Sequence, residues 1–406
     1  MNDHDPVVVG AATTRFGMFV DVSMRTLAAE AADRALADAG LHADDVDLVV
    51  VGNAAAGLLT GQEMIRAQTA LSTSSLTGLP MLSIENACAS SSSAFHLGWL
   101  AVASGVHETV VVVGVEKMTH EDRGRSGRAL ATAIDVEVAA QRRAKRAAKA
   151  ASQTEAAVRI EEGPVFMRIY AAEARAYLEA AGATAADLAA VAAKSLFNGS
   201  LNPIAQHRTR MTVEEVLGAR TIVAPLTRPM CSSIGDGAAA LVITSAARAR
   251  RGDRQAVRIL ASVIGSGRAD ADTDLVARTG RRAYELASVG PPDVSLVELH
   301  DAAAPAEFVI SEELGLAAPG DAPRLLRDGT TSLGGTQPVN ASGGLLARGH
   351  PIGATGAAQI AELIDQLRGR AGERQVTKAR IGLAQNSGGS LGKDPAACVV
   401  TILASM

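Results

Sequence analysis

The chain has 406 residues, 48% of them hydrophobic and 20% charged, with a formal net charge of −4. That composition suits a globular protein of two domains or one duplicated domain. The small net charge offers no basic field for nucleic acid, no apolar run reaches the ~18 residues that span a bilayer, and the three cysteines and eight histidines show no zinc-ligand spacing.

Aromatic residues are only 2%, so Ala, Val, Leu and Ile must build the core. The start, Met1-Asn2-Asp3-His4-Asp5, has no basic and apolar leader, and Leu403-Ala404-Ser405-Met406 is no peroxisomal address. A cytoplasmic location is expected.

The first predicted element is a strand over Pro6–Gly10. A helix over Ala28–Ala39 stops at Gly40, and an acidic turn at Asp44 and Asp45 leads to the strand Leu48–Val51. Cys88 comes next, in Glu85-Asn86-Ala87-Cys88-Ala89-Ser90-Ser91-Ser92-Ser93-Ala94. The spacing of Phe95, Leu97, Trp99, Leu100 and Val102 predicts a helix ending near Gly105, followed by a strand over Thr109–Gly114. A thiol at the mouth of that helix would meet unpaired N–H groups and the positive end of the helix dipole, which favour thiolate.

From about Thr119 to Ala224 the pattern changes. Gln141 to Lys149 predicts an Ala-rich basic helix, and further helices are predicted over Val165–Ala181 and Ala185–Asn198. The basic run is either a solvated face or an attraction for an anionic ligand such as a nucleotide phosphate.

The opening pattern then returns. A strand over Ala256–Ala261 precedes a helix over Thr279–Ser288, a stop at Gly290, the turn Pro291-Pro292-Asp293 and a strand over Leu296–Leu299. His350 leads through Gly353-Ala354-Thr355-Gly356 into a helix ending near Leu367, then a strand over Ala379–Leu383. The repetition divides the chain into residues 1–250, including an insertion at about 119–224, and residues 251–406. Continuous apolar strands imply parallel sheets with helices on both faces.

Four small, polar segments fall at strand C-termini or helix starts, the edge where open α/β sheets bind ligands. They hold Cys88, His300-Asp301, the stretch from Asn340 to Gly353 with His350, and Gln385-Asn386-Ser387-Gly388-Gly389. Each histidine taken singly reads as structural. A cysteine with two histidines at equivalent edges of a duplicated fold is more specific, because imidazole can take the thiol proton or donate to a developing oxyanion.

Over nearly its whole length the chain resembles the thiolases, and most of all the sterol-carrier-protein type. The motifs are Asn86-Ala87-Cys88-Ala89-Ser90, Gly114-Val115-Glu116-Lys117-Met118-Thr119, Asp236-Gly237-Ala238-Ala239-Ala240, His300-Asp301, Gly349-His350-Pro351-Ile352-Gly353-Ala354-Thr355-Gly356 and Asn386-Ser387-Gly388-Gly389. The resemblance implies a five-layer αβαβα α/β fold of two halves, a helical loop domain that binds coenzyme A, and a homodimer or tetramer. It implies acyl-CoA as substrate, no tightly bound cofactor and no metal. Cys88 would carry the acyl group and His350 would be its base. His300 would bind the thioester oxygen of the second substrate. The N–H of Cys88 and a glycine N–H in the Asn386, Gly388, Gly389 loop would form the oxyanion hole, and Ser232 would touch pantetheine.

Two departures matter. Ordinary thiolases have a second cysteine where this chain has Asn386, and the sterol-carrier type has one where this chain has Ala302. The acylating parts are thus present and the usual carbanion base is missing. The leading expectation is an acyl-CoA C-acyltransferase. The alternatives are a Cys-dependent acyltransferase or Claisen-type synthase working with a small zinc-ribbon/OB-fold protein, and a low-turnover acyl-CoA or lipid-binding protein.

Overall fold

A computed structural model describes residues 2–122, 124–151, 163–251, 255–269 and 274–406, without the side chains of 146–151. In chain order, β1 (Pro6–Thr13) leads to α1 (Met24–Ala39), β2 (Leu48–Gly52), the short helices α2 (Ala56–Thr60) and α3 (Arg66–Ala70), and β3 (Met81–Ile84). A 3-10 turn over Ala87–Ala89 opens α4 (Ser90–Ala103), and β4 (Thr109–Glu116) follows. The next stretch holds α5 (Gly124–Leu130), α6 (Val136–Ala151), α7 (Val165–Ala181), α8 (Ala185–Ser200), α9 (Val213–Gly218) and the small hairpin β5 (Thr221–Val223) and β6 (Leu226–Thr227). Then come β7 (Gly237–Ser245), α10 (Ala246–Arg251), β8 (Val257–Ser266), α11 (Leu275–Ala287) and β9 (Leu296–Glu298). The chain closes with α12 (Ala304–Glu313), α13 (Ala322–Arg327), α14 (Gly344–Ala347), α15 (Thr355–Leu367), β10 (Ile381–Gly388) and β11 (Ala397–Ala404).

The nine strands of the main sheet lie in the order β3-β2-β4-β7-β1-β8-β11-β10-β9. The two halves repeat one another: β1, β2, β4 and β7 have counterparts in β8, β9, β10 and β11. A parallel bridge from Val339 to Val297 stands where β3 stands beside β2. Among the described residues the two half-sheets pair through Val7 with Arg258 and Val8 with Val257. The sheets are mixed, not parallel. β7 runs antiparallel to β4 and β1, and β11 antiparallel to β10 and β8. A central strand buried on both faces is apolar throughout in either direction, so its composition does not reveal its sense.

Alternation along the strands sorts the core into layers. Val111, Val113 and Val115 of β4 face α1 on the outside, while Val110 and Val112 face α4 and α15 in the middle. On the far side, Val400 and Ile402 of β11 pack with Leu275, Val276 and Ala283 of α11. The order is therefore helix, sheet, paired helices, sheet, helix. Each buried Val or Leu side chain contributes roughly 1.5–3 kcal/mol of transfer free energy.

The two central helices touch closely. Ser90 to Ser93 are all buried, and a Cβ on Gly356 would come within 2.7 Å of the Ser92 backbone nitrogen. Ser91 Oγ accepts the Ala357 N–H at 2.9 Å. Small residues at these two helix starts let the segments that hold Cys88 and His350 lie side by side.

Several predicted boundaries shift. The helix predicted from Ala28 starts at Met24, where Ser23 caps it by accepting the Thr26 N–H. The helix predicted to stop at Gly290 ends at Ala287, because Ser288 adopts the left-handed cap at φ 55°. The last parallel strand runs to Gly388, so Gln385, Asn386 and Ser387 are strand residues rather than loop. Strand β7 has no predicted counterpart, Asp236–Ala240 standing in the sequence only as a motif. Its Ala-rich start lacks the usual β-branched signal.

Candidate active site

Cys88 is placed by a strained turn. Ala87 sits at φ 48°, a left-handed conformation that costs a residue with a Cβ roughly 1–2 kcal/mol. That turn sets Cys88 in the 3-10 entry to α4, at the end of β3. Opposite it passes the end of β10. A Cβ on Gly388 would fall 2.0 Å from the Asn86 carbonyl oxygen, so only glycine allows this approach. The backbone N–H groups of Gly389 and of Cys88 itself bear on the Cys88 sulfur and favour its thiolate.

Both histidines converge there. One ligand atom each from Cys88, His300 and His350 lies within 4.8 Å of the others, and the two rings meet edge to face with centroids 5.1 Å apart. His300 follows β9, and His350 precedes α15 as Cys88 precedes α4 in the first half. Both are buried, while Cys88 is half-buried by exposed area even though protein atoms crowd its sulfur.

The hydrogen bonds give the two rings opposite roles. Thr355 Oγ1 donates its single proton to the Pro351 carbonyl at 2.9 Å. It must therefore accept from His350 Nδ1, 2.7 Å away, which leaves Nε2 of His350 as a bare acceptor. On the other ring, the Asn386 amide nitrogen lies 2.9 Å from His300 Nδ1. An amide NH₂ donates, so His300 Nδ1 accepts and its proton sits on Nε2. Asn386 is itself held by Ser92, whose hydroxyl shares its proton between Asn386 Oδ1 at 2.7 Å and the Ala89 carbonyl at 2.9 Å. One ring thus offers a lone pair and its neighbour offers a proton.

Electrostatics keep the cluster neutral at rest. Burial pushes His300 down to about 3, with help from the Arg348 guanidinium. Burial, His300 and Arg348 hold His350 well below the usual histidine range. Burial also pushes the Cys88 thiol up to about 12, against the N–H groups of Gly389 and Cys88 and with the Glu116 carboxylate adding to the rise. The helix mouth was expected to favour thiolate; desolvation outweighs it. The resting site is a thiol beside two neutral imidazoles.

Residues behind these groups fix their positions. Glu116 accepts N–H groups from Ala54 at 3.0 Å and Gly353 at 3.2 Å and the Asn53 amide at 3.0 Å, tying the His350 loop to the end of β4. Asp236 accepts Lys117 Nζ and the N–H groups of Met118 and Thr119, each at 2.7 Å, which joins two of the quoted motifs. Arg348 is fully buried, 3.4 Å from Glu298. Ser232 is half-buried beside the His300 segment and donates its N–H to the Ala302 carbonyl at 3.0 Å. Tyr170 of α7 packs against both the helical insertion and the second half, and the charges of Glu173, Cys88 and Asp301 bear on its hydroxyl.

Cys231 and Cys398 stand elsewhere, one in the core of the insertion and one in β11. Cys88, His300 and His350 are also the one group among the described residues whose spacing could hold a metal ion. Residues 141–145 of the basic helix are exposed; the side chains of Arg146 and Lys149 lie outside the described ones. Sequence reasoning missed Thr355, Ser92 and Gln385 as supports of the histidines. Thr355 lies five residues after His350, within the quoted motif, and that spacing was the available signal.

The comparisons with known proteins agree with this geometry. A family described as "Thiolase, N-terminal domain" matches residues 6–247, and "Thiolase C-terminal domain-like" matches residues 262–403. The chain belongs to the thiolase family. It is 40% identical over 395 residues to an acetyl-CoA acetyltransferase of Methanothermobacter thermautotrophicus, covering 96% of this chain and 97% of that protein. It is 33% identical to the benzoylsuccinyl-CoA thiolase subunit BbsB of Thauera aromatica, with 94% of each covered. Among solved structures, an Ltp2-ChsH2(DUF35) aldolase superposes at a TM-score of 0.77 with 25% identity, covering 100% of this chain and 99% of that one. The fold of this thiolase relative also matches human mitochondrial 3-ketoacyl-CoA thiolase, at a TM-score of 0.71 and 18% identity over 100% of both chains. Among the described residues no helix is long and apolar enough to cross a membrane.

Proposed function

We propose that this chain is a Claisen-type synthase or lyase of the sterol-carrier-protein type, acting on acyl-CoA through an acyl-enzyme on Cys88 and working with a small zinc-ribbon/OB-fold protein. The observation that carries the reading is the pair of oppositely polarised histidines beside Cys88, with Asn386 in the place of the second thiol. As Cys88 attacks the acyl carbonyl, its proton passes to Nε2 of His350, and the C–S bond of the CoA ester breaks. His350 then returns the proton to the departing CoA thiolate. The N–H groups of Cys88 and Gly389 hold the carbonyl oxygen. In the second half-reaction a carbanion, its enolate oxygen held by the Nε2–H of His300, attacks the Cys88 thioester; the C–S bond to Cys88 breaks and the departing thiolate recovers its proton through His350. Asn386 cannot remove an α-proton. The carbanion therefore arises from bond cleavage, such as loss of CO₂, or from His350 acting as the base.

A partner is supported by two relatives, one called a subunit and one solved as Ltp2-ChsH2(DUF35). Ser232 would line the pantetheine arm, and the insertion at about 119–224 would bind the nucleotide end. The halves at 1–250 and 251–406 would fold together, in the cytoplasm, without a resident cofactor. Homodimer formation has support in β3, an open sheet edge with Leu82 47% exposed.

The test is to compare three rates in the purified chain: exchange of CoA into acetyl-CoA, α-proton exchange in deuterated water, and thiolysis of acetoacetyl-CoA. We expect CoA exchange with α-exchange and thiolysis at least 100-fold slower, the cost of a missing positioned base being roughly 10²–10⁴-fold. Thiolysis as fast as CoA exchange would return the chain to the simple acyl-CoA C-acyltransferase reading.

A further inference from the structure

Cys88 stands between two unlike walls. On one side are His300, His350 and Asn386. On the other is a small apolar cluster separate from the layer cores: Leu59 of α2, Met118 after β4, Ala129 of α5 and Ile352, each no more than 4% exposed, with Leu130 packed against them. The Cys88 side chain itself packs against this cluster. Five chain segments meet there, and none of these residues belongs to the cores that hold the sheets and central helices together.

We propose that this cluster is the acyl-side pocket and that Leu59 and Met118 decide which acyl groups Cys88 carries: short, unbranched, uncharged ones. The inference rests on the acyl-enzyme reading. When the thioester forms, its carbonyl oxygen turns to the Gly389 and Cys88 N–H groups. The third substituent of the carbonyl carbon, the acyl tail, then points away from the polar wall and against the apolar one. Each methylene buried there favours binding by about four-fold until the space is used up. A charged or hydroxylated tail would lose its water and find no polar partner among these side chains. The wall side chains are already buried against one another, so a long tail must displace them. Met118 has a flexible thioether, and Leu59 lies on a helix of only five residues, so these two bound the length.

The experiment uses the full chain and acetyl-, butyryl-, octanoyl- and succinyl-CoA. The rate of adduct formation on Cys88 is followed by intact-protein mass spectrometry, with a Cys88→Ser control. Wild type should take acetyl and butyryl groups at least ten-fold faster than octanoyl or succinyl. Leu59→Ala and Met118→Ala should raise the octanoyl-to-acetyl ratio ten-fold or more, while Met118→Leu leaves that ratio near the wild-type value. The ratio is internal to each variant, so partial loss of folded protein does not move it. Equal wild-type rates for all four esters, or ratios untouched by both alanine variants, would overturn the pocket assignment with the acyl-enzyme intact. Failure of even acetyl-CoA to modify Cys88 would instead remove the acyl-enzyme reading, and the pocket with it.

Discussion

At the scale of single residues, what matters is which nitrogen carries which proton. Thr355 and Asn386 never touch the sulfur, yet they fix the tautomers of His350 and His300. Thr355→Val removes the acceptor for His350 Nδ1–H and frees the proton to sit on Nε2, where it blocks the base. We expect kcat to fall roughly 10–100-fold, the usual cost of losing a histidine's orienting partner, and Thr355→Ser to restore most of it. Steady-state rates of CoA exchange across pH check this; a Thr355→Val profile identical to wild type would contradict it.

Burial of His300 also has a stability consequence. Its folded value of about 3 lies below the unfolded value of ~6.5, so between those pH values the unfolded chain binds a proton that the folded chain refuses. Stability from this group is full above ~6.5 and is lost as pH falls toward 3, by up to about 1.4 kcal/mol per pH unit. Glu116 opposes the trend, because burial lifts its pKa to about 7 and the folded chain gains protons there. The comparison that isolates His300 is urea unfolding of wild type and His300→Gln between pH 7 and 5. The variant should lose less stability on acidification; equal losses would show that His300 is protonated without penalty.

The convergence of Cys88, His300 and His350 was legible at this scale, because their motifs and strand-edge positions are local. The protonation state of the thiol was not. A helix start is visible in sequence, but the desolvation that outweighs it comes from segments hundreds of residues apart.

At the scale of elements, the site depends on close backbone approach rather than on any one interaction. The end of β10 lies against the Cys88 turn through Gly388, and α15 lies against α4 through Gly356. Adding one methyl at Gly388 would place it 2.0 Å from the Asn86 oxygen, where nothing flexible can yield. Gly388→Ala should therefore push Gly389 away from the sulfur and lower acylation at least 100-fold, with a destabilisation of roughly 1–3 kcal/mol typical of overpacking. Rapid-quench acylation and thermal unfolding together test this; full activity would mean that the strand end is free to shift.

Element order and the duplication were readable from hydrophobic runs and glycine stops. Strand direction was not, since β7 and β11 are apolar on both faces whichever way they run. The extension of β10 through Asn386 was missed because Gln385-Asn386-Ser387 is polar. Those side chains are buried only because they meet His300, Ser92 and one another.

At the scale of the whole molecule, two half-sheets share one pair of central helices, and the site lies where those helices begin. The outer strand β3 leaves one sheet edge open, with Leu82 on it and Met64 and Ile65 exposed at 77% and 64% on the connection before it. Open apolar edges favour pairing with another chain. Light scattering should give about 83 kDa, twice the 41.5 kDa chain, and Leu82→Lys should shift it toward one chain. A wild-type protein of 41.5 kDa at micromolar concentration would show that the edge stays unpaired.

Every step proposed for this site begins with Cys88 taking an acyl group from acyl-CoA while His350 accepts its proton. The most direct measurement is peptide mass spectrometry after a short incubation with isotopically labelled acetyl-CoA and an acid quench. One labelled acetyl group is expected, on the peptide containing Cys88, released by added CoA and greatly reduced in His350→Ala. Label on Cys231 or Cys398, or an unmodified Cys88 in the presence of saturating acetyl-CoA, would contradict it.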